Sequence, residues 1–305
     1  MFAVAETVGD RHRVLTDNQW ELLELLLPKS DGRVGRNFSN NRRVVEGMLF
    51  RLRTGMPWRD LPEVFGPWQT VWKRHRRYAA DGTWDRVLVA LTALADATGN
   101  LDWVVSVDST IVRVHQHGAN TRRGGARSPA RMVSYEPADH GIGRSRGGLT
   151  TKAHLATDGN GRGLAVLITA GQAGDCPMMA AVLDAIAVPR LVGGPPRRNP
   201  DRVLADKAYS SAANRELLRG KRITAVIPQR SDQVANRKRR GRAGGRPPGF
   251  DSGAYRGRNV VERAFNKAKH WRGVATRYDK LACTYRAGIV MALMVEWLKL
   301  LGDMT

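Results

Sequence analysis

The spacing of the apolar residues changes at Trp103, and that change divides the chain in two. Before it, hydrophobic side chains recur every three to four positions, as in helices packed on one face. "TDNQWELLELLLP" opens with a Thr16-x-x-Gln19 capping box and stops at Pro28. "NNRRVVEGMLFRLRTG" reads as a second amphipathic helix closed by Gly55. After the Pro-rich turn "MPWRDLPEVFGP", "WQTVWKRHRRYAADG" predicts a third helix. Its Val71, Trp72 and Tyr78 face inward, while Lys73, Arg74, Arg76 and Arg77 crowd the other side. "TWDRVLVALTALADATG" predicts a fourth, mostly buried helix. Residues 1–15 show no such rhythm and are read as a disordered start. Short helices with a basic third one predict an all-α, helix-turn-helix-like DNA-binding domain over residues 16–100, with the four cations as its contacts. The competing reading is a helical bundle with a solvated basic face.

Beyond Trp103, "WVVSVDSTIVRVHQ" is rich in β-branched residues and predicts a strand. "LTTKAHLATDGNGRGLAVLITAG" holds two strand-like runs joined by "DGNG", a hairpin signal. A helix ("PMMAAVLDAIA"), a short strand ("RVLADKAYSS"), a helix ("SAANRELLRG") and a strand ("ITAVIPQ") follow, then two helices. Residues 117–148 and 230–257 are polar, Gly-rich and basic, and are read as loops. This order predicts an α/β domain over 101–305, a mixed sheet with flanking helices.

The 50 Lys and Arg against 28 Asp and Glu leave a formal net charge of +22, which calls for a polyanionic partner, nucleic acid first. A membrane surface is the competitor. The most apolar stretch, "AGIVMALMVEWLKLL", is broken by Glu296 and Lys299 and too short to span a bilayer. No secretory leader opens the chain, so a cytoplasmic, nucleoid-associated protein is expected. Cys176 and Cys283 fit reduced thiols.

Against this excess of cations, a few acids stand out. Asp108 falls inside the first strand, where a carboxylate is costly unless paired or bound to metal. Asp206 closes "RVLA" at a strand tip, where sheet-based sites collect ligands. Glu262 is the lone acid of "YRGRNVVERAFNKAKHW". On a helix of about 100° per residue, Tyr255, Arg258, Glu262 and Lys269 share an arc of about 60°. Val260, Val261, Ala264, Ala268 and Trp271 lie on the opposite side. The plain alternatives are a strand-end turn for Asp108, a helix N-cap for Asp206, and an Arg258–Glu262 surface pair. His115 and His117 read as polar strand-end residues, with zinc the lesser alternative.

The chain resembles the DDE transposases of bacterial insertion sequences, in particular the insertion-sequence-five group. Tyr255, Arg258, Glu262 and Lys269 match the group's Tyr, two residues, Arg, three residues, Glu, six residues, Lys signature at every interval. "VDST" and "ADKAYSS" resemble the segments around its first and second catalytic aspartates, "RGGLTTKAHLATDGNGRGL" its central hairpin, and residues 15–78 its helical domain. One departure is Ser210, where many members carry an acid. The resemblance implies a ribonuclease H-like fold in which Asp108, Asp206 and Glu262 hold two Mg²⁺, or Mn²⁺, for phosphodiester chemistry. It also implies that Tyr255, Arg258 and Lys269 meet the DNA backbone. The expected activity is cleavage at transposon ends and joining of 3′ ends to target DNA, with double-stranded DNA as partner. A homodimer or larger assembly would hold two ends together. An inactive, transposase-derived DNA-binding regulator and a structure-specific nuclease without strand transfer are the alternatives.

Overall fold

The computed structural model describes residues 10–29, 40–119 and 136–303. The chain forms two compact units, neither contiguous in sequence. One holds residues 1–91, 113–142 and 268–305; the other holds 92–112 and 143–267. The expected boundary near residue 100 therefore does not coincide with the division between them.

The first unit is helical. α1 (Asp17–Leu26) carries the capping box in full, with the Thr16 hydroxyl accepting from Gln19 N and the Gln19 side chain accepting from Thr16 N. α2 (Asn41–Thr54) ends on Gly55, whose φ of 72° is the left-handed conformation that lacks a Cβ penalty only in glycine. α3 (Trp68–Ala80) follows, then α4 (Thr83–Ala97), whose residues from Thr92 on are assigned to the second unit. Residues 10–15 are ordered, contrary to the disordered start expected. The buried Glu46 carboxylate accepts from Val14 N and Leu15 N, and Leu15 is buried beside it. After α5 (Gln116–Ala119), the turn at 136–142 is held by Arg277. That side chain is fully buried and donates to the carbonyls of Gly141, His140, Asp279 and Lys280. The long C-terminal helix of this unit (Ala282–Gly302) packs on α1 and α3 with an apolar surface nearly all round, including Trp297 and Met294. A helix buried on every side belongs to a core, not a surface.

The second unit is built on a mixed sheet. β1 (Val104–Val114), β2 (Gly143–Ser145), β3 (Gly148–Thr157), β4 (Gly163–Ala170), β5 (Arg202–Ala205) and β6 (Thr224–Val226) supply it. The spatial order is β4-β3-β1-β5-β6, with β2 on the free part of β3. β3 and β4 form the expected antiparallel hairpin, while β1, β5 and β6 are parallel. The buried Asp158 carboxylate ties the hairpin turn by accepting from Asn160 N and Arg162 N, and Gly161 takes a φ of 82° there. α6 (Met178–Asp184) packs on β3 and β4, and α7 (Ala212–Gly220) on β6. Strand order and directions are those of a ribonuclease H-like fold. β7 (Thr276–Arg277) pairs with the last two residues of β1 within the first unit.

The segment at 230–257, read as a loop, is partly helical. α8 (Ser231–Arg239) and α9 (Ser252–Tyr255) form there, with no residue of α8 buried. Capping bonds, not an apolar face, hold them: Gln233 accepts from Arg230 N and Asp251 accepts from Ala254 N. The loop expected at 117–148 contains α5 and β2; its residues 120–135 lie outside the described set.

α10 (Asn259–Lys269) buries Val260, Val261, Ala264 and Ala268 of the face its period predicts, and Phe265 beside them. Trp271, expected on that face, lies past the helix end and is only half-buried. α11 (Arg272–Ala275) and the C-terminal helix, α12, complete the chain.

Candidate active site

Residues far apart in sequence meet where β1 and β5 run side by side. The parallel register pairs Val107 with Ala205, so Asp108 and Asp206 are the next residues along two adjacent strands. Strands so paired lie about 4.8 Å apart, which places two carboxylate-bearing positions side by side. Asp108 Oδ1 accepts from Ser109 N at 2.8 Å. Asp206 lies just past β5, and its carboxylate caps the following turn by accepting from Ala208 N at 2.8 Å. The capping role read from sequence and a ligand role are compatible, since a carboxylate has further lone pairs.

Glu262 arrives on the first turn of α10. Arg258 links it to β1, donating from Nη1 to Asp108 Oδ2 at 2.7 Å and from Nη2 to Glu262 Oε1 at 2.6 Å. Burial raises the Asp108 pKa above the usual carboxylate value, and the Asp206 charge pushes the same way, while the Ser109 amide and Arg258 oppose them. Two neighbouring carboxylates in a half-buried site require a counter-charge, and the Arg258 guanidinium supplies it here. Arg258 was expected to meet DNA phosphate. Here it pairs with the two acids, and its contact with Glu262 is the surface pair given as the plain alternative.

Tyr255 ends α9, and a single 3₁₀ turn that includes Arg258 separates it from α10, so Tyr255 and Arg258 do not share one continuous α-helix with Glu262. The Arg258 guanidinium lies 6.0 Å from its ring centroid. Lys269 ends α10, where burial lowers its pKa. Beside Asp206 a recess of about 460 Å³ is lined by Lys207, Arg230 and Asp232, which sequence reasoning did not single out.

A further polar cluster was also missed. Asp175, in the turn after β4, accepts from Ser109 Oγ at 2.7 Å and pairs with Lys152 Nζ at 2.9 Å. Burial acts to raise its pKa, but those two hydrogen bonds and the Lys152 charge hold it below the usual value. His154, fully buried two residues along β3, bonds Thr169 through Nε2, and burial lowers its pKa to about 4. Tyr209 is buried nearby, its pKa raised first by burial and then by the charges of Asp175, Asp108 and Asp206. The available signal was Lys152-x-His154, two ionisable side chains on one face of a buried strand.

Of the four cations on α3, Lys73 and Arg77 are exposed, and Arg76 stacks over Trp72 at 4.9 Å. Arg74 does not belong with them. It is 8% exposed and donates to Asn41 Oδ1 and to the Tyr78 hydroxyl, because the helical period turns it inward beside Val71 and Tyr78. All four belong to the first unit, Asp108, Asp206 and Glu262 to the second. His115 and His117 sit with ring centroids 4.6 Å apart. Among the described residues no three His, Cys, Asp or Glu side chains are gathered as a ready-made metal site. Carboxylates are nevertheless the donors that hard divalent cations take, and the like charges of Asp108 and Asp206 fit such an ion. Glu262, drawn to Arg258, would have to turn from it to join them. No helix among the described residues is long and apolar enough to cross a membrane.

Residues 15–88 match a family described as "Putative transposase of IS4/5 family". An uncharacterized protein, y4sN, of Sinorhizobium fredii is 40% identical over 124 residues, which cover 40% of this chain and 94% of the relative. A putative transposase for insertion sequence element IS402 of Burkholderia cepacia is 33% identical over 43% of this chain and 55% of its own length. One for element IS6501 of Brucella ovis is 27% identical over half of this chain and all of its own. A solved Mos1 transposase paired-end complex with left transposon end aligns at 13% identity over 79% of this chain and 83% of its own. With a TM-score of 0.24, that likeness carries no argument. Residues 99–295, well over half of the chain and all three acids among them, match the family described as "Transposase DDE domain", and to that family of transposases the chain belongs.

Proposed function

We propose that the chain binds double-stranded DNA at transposon ends, cleaves phosphodiester bonds there and joins the 3′ ends to target DNA. The observation that carries this reading is the adjacency of Asp108 and Asp206 across β1 and β5, with Glu262 tied to the same point through Arg258. Asp108, Asp206 and Glu262 would hold divalent metal, Mg²⁺ or Mn²⁺. Bound there, a pair of such ions supplies an activated water or 3′-hydroxyl and neutralises the leaving oxygen. The rest falls to the chain's own side chains. Arg258 neutralises the acids until substrate arrives, then turns to a scissile phosphate, which offers the same bidentate oxygens. Lys269 and Tyr255 meet the backbone beside it, and Lys207 and Arg230 at the recess extend that contact. Asp175, through Ser109 and Lys152, positions the β1 backbone that carries Asp108. Lys73, Arg76 and Arg77 on α3 supply DNA contacts in the helical unit. Two ends brought together imply at least two copies of the chain.

The test is a strand-transfer assay with labelled linear DNA carrying transposon ends. Asp108→Asn and Asp206→Asn should each abolish divalent-dependent cleavage while end binding persists. Either variant retaining cleavage within about tenfold of the native protein would remove that residue from the site. Cleavage without joined product would favour a nuclease, and end binding without cleavage by the native chain an inactive regulator.

A further inference from the structure

Four of the eight tryptophans, Trp58, Trp68, Trp72 and Trp271, are not fully buried, and three of them share one cavity. Trp20, Trp84, Trp103 and Trp297 are each no more than 6% exposed, whereas Trp58, Trp68 and Trp72 are only half-buried and line one cavity of about 870 Å³ in the helical unit. Tyr278 and His115 add two more rings to its wall, their centroids 4.9 Å apart. The volume lies in the range of small-molecule sites.

Its charge is as distinctive as its rings. Arg51, Arg59, Arg76 and Lys280 line the cavity against one acid, Asp279. Arg51 is 4% exposed, yet its Nε and Nη1 have no hydrogen-bond partner among the described residues; Asp279 Oδ2 is 3.9 Å from Nη1. A buried guanidinium with unused donors is costly unless a ligand completes it. It stands 4.9 Å from the Trp58 centroid and 6.0 Å from that of Tyr278. Arg59 and Arg76 sit over Trp68 and Trp72 at 5.9 and 4.9 Å. Aromatic faces interleaved with cations suit a flat, π-faced group attached to an anion, which is a nucleotide. Inside a duplex the base faces are stacked on one another, so only an unpaired base can enter.

We propose that this cavity binds an unpaired nucleobase and its phosphate from the DNA strand that the protein holds. The inference rests on the reading of the chain as a DNA-binding transposase, and it adds a contact to single-stranded or locally opened DNA.

The test uses the full chain and its tryptophan fluorescence, titrated with an eight-nucleotide single-stranded oligothymidylate, an abasic oligomer of equal length and charge, thymidine monophosphate, and duplex end DNA. The oligothymidylate should quench and should bind at least about fivefold more tightly than the abasic strand. Trp68→Ala and Trp72→Ala should each weaken it by about fivefold or more, leaving duplex affinity within about twofold. Both side chains are half-exposed, so the variants should fold; unchanged circular dichroism melting checks this. Equal binding of normal and abasic strands, or single-strand affinity unchanged in both variants, would overturn the pocket while leaving the DNA reading intact. An oligomer binding no better than thymidine monophosphate would make the cavity a free-nucleotide site and overturn the proposed source. Failure to bind duplex ends would count against the transposase reading instead.

Discussion

Replacing Arg258 by Gln should tighten the binding of a divalent cation while damaging DNA cleavage. The guanidinium occupies the two carboxylates that a cation would use, through bonds of 2.7 Å to Asp108 and 2.6 Å to Glu262. The pair with Asp108 joins side chains 17% and 21% exposed, and a hydrogen bond between charged groups in such a setting contributes about 1.5–3 kcal/mol. The pair with Glu262 is an i,i+4 contact to a side chain 53% exposed, worth about 0.3–0.5 kcal/mol. A cation arriving at these acids must displace roughly 2–3.5 kcal/mol of pairing. At about 1.4 kcal/mol per tenfold, Arg258→Gln should raise cation affinity about 30- to 300-fold. Calorimetric titration with MnCl₂ at pH 7.5 and low salt measures it, with Arg258→Gln/Asp108→Asn as the control that returns affinity to native levels or below. Cleavage by Arg258→Gln should fall, because the guanidinium no longer grips a phosphate, and lowered salt should partly restore it. Glu262→Gln should lose cation affinity and gain nothing from low salt. Unchanged or weaker cation binding in Arg258→Gln would show that the guanidinium does not compete with a cation for these carboxylates, and the two-acid bridge would lose its functional meaning.

The protein should also lose stability in mild acid. Burial lowers the pKa of His75 and His154 from 6.5 to about 4, so as pH falls the unfolded chain takes up protons first. Their contribution is complete above pH 6.5 and drains away between 6.5 and 4, by up to about 3 kcal/mol for each residue. Thermal melts of the native chain and His154→Gln at pH 7.5, 6 and 5 check this; an equal fall in both would refute the role of His154. On α3, Lys73→Ala and Arg77→Ala should each remove one phosphate-neutralising charge, and so lower the salt dependence of end binding by about 0.9 log units per log unit of salt. A salt slope equal to that of the native chain would take the substituted residue off the DNA-binding face. Arg74→Ala should instead destabilise the fold, through its bonds to Asn41 and Tyr78, and an unaltered melting temperature would contradict that assignment.

What lies within reach of one helical turn or one strand was legible without coordinates. The Thr16 cap, the Gly55 stop, the β3–β4 hairpin and the buried face of α10 all follow from bonds and spacings a few residues long. Those local rules operate the same way in the unfolded chain, so period and turn chemistry reveal them. The same period put Tyr255, Arg258, Glu262 and Lys269 on one arc, but the helix begins only at Asn259, after a 3₁₀ turn. Only the tertiary structure decided which distant residues meet. The adjacency of Asp108 and Asp206 depends on the β1–β5 register, a pairing across about a hundred residues that no local signal encodes. Asp175 joins Ser109 and Lys152 because the hairpin lies beside β1, and in sequence it is one more acid in a Gly-rich turn. Arg74 sits among cations in the sequence, yet packing turned it into a core donor while leaving Lys73 and Arg77 in solvent. The tryptophan-lined cavity likewise brings α2 and α3 together with residues 278–284, more than two hundred positions away in the chain. A strand register or a helix contact of that range is selected by the burial of whole faces, and this energy exists only once the faces are together.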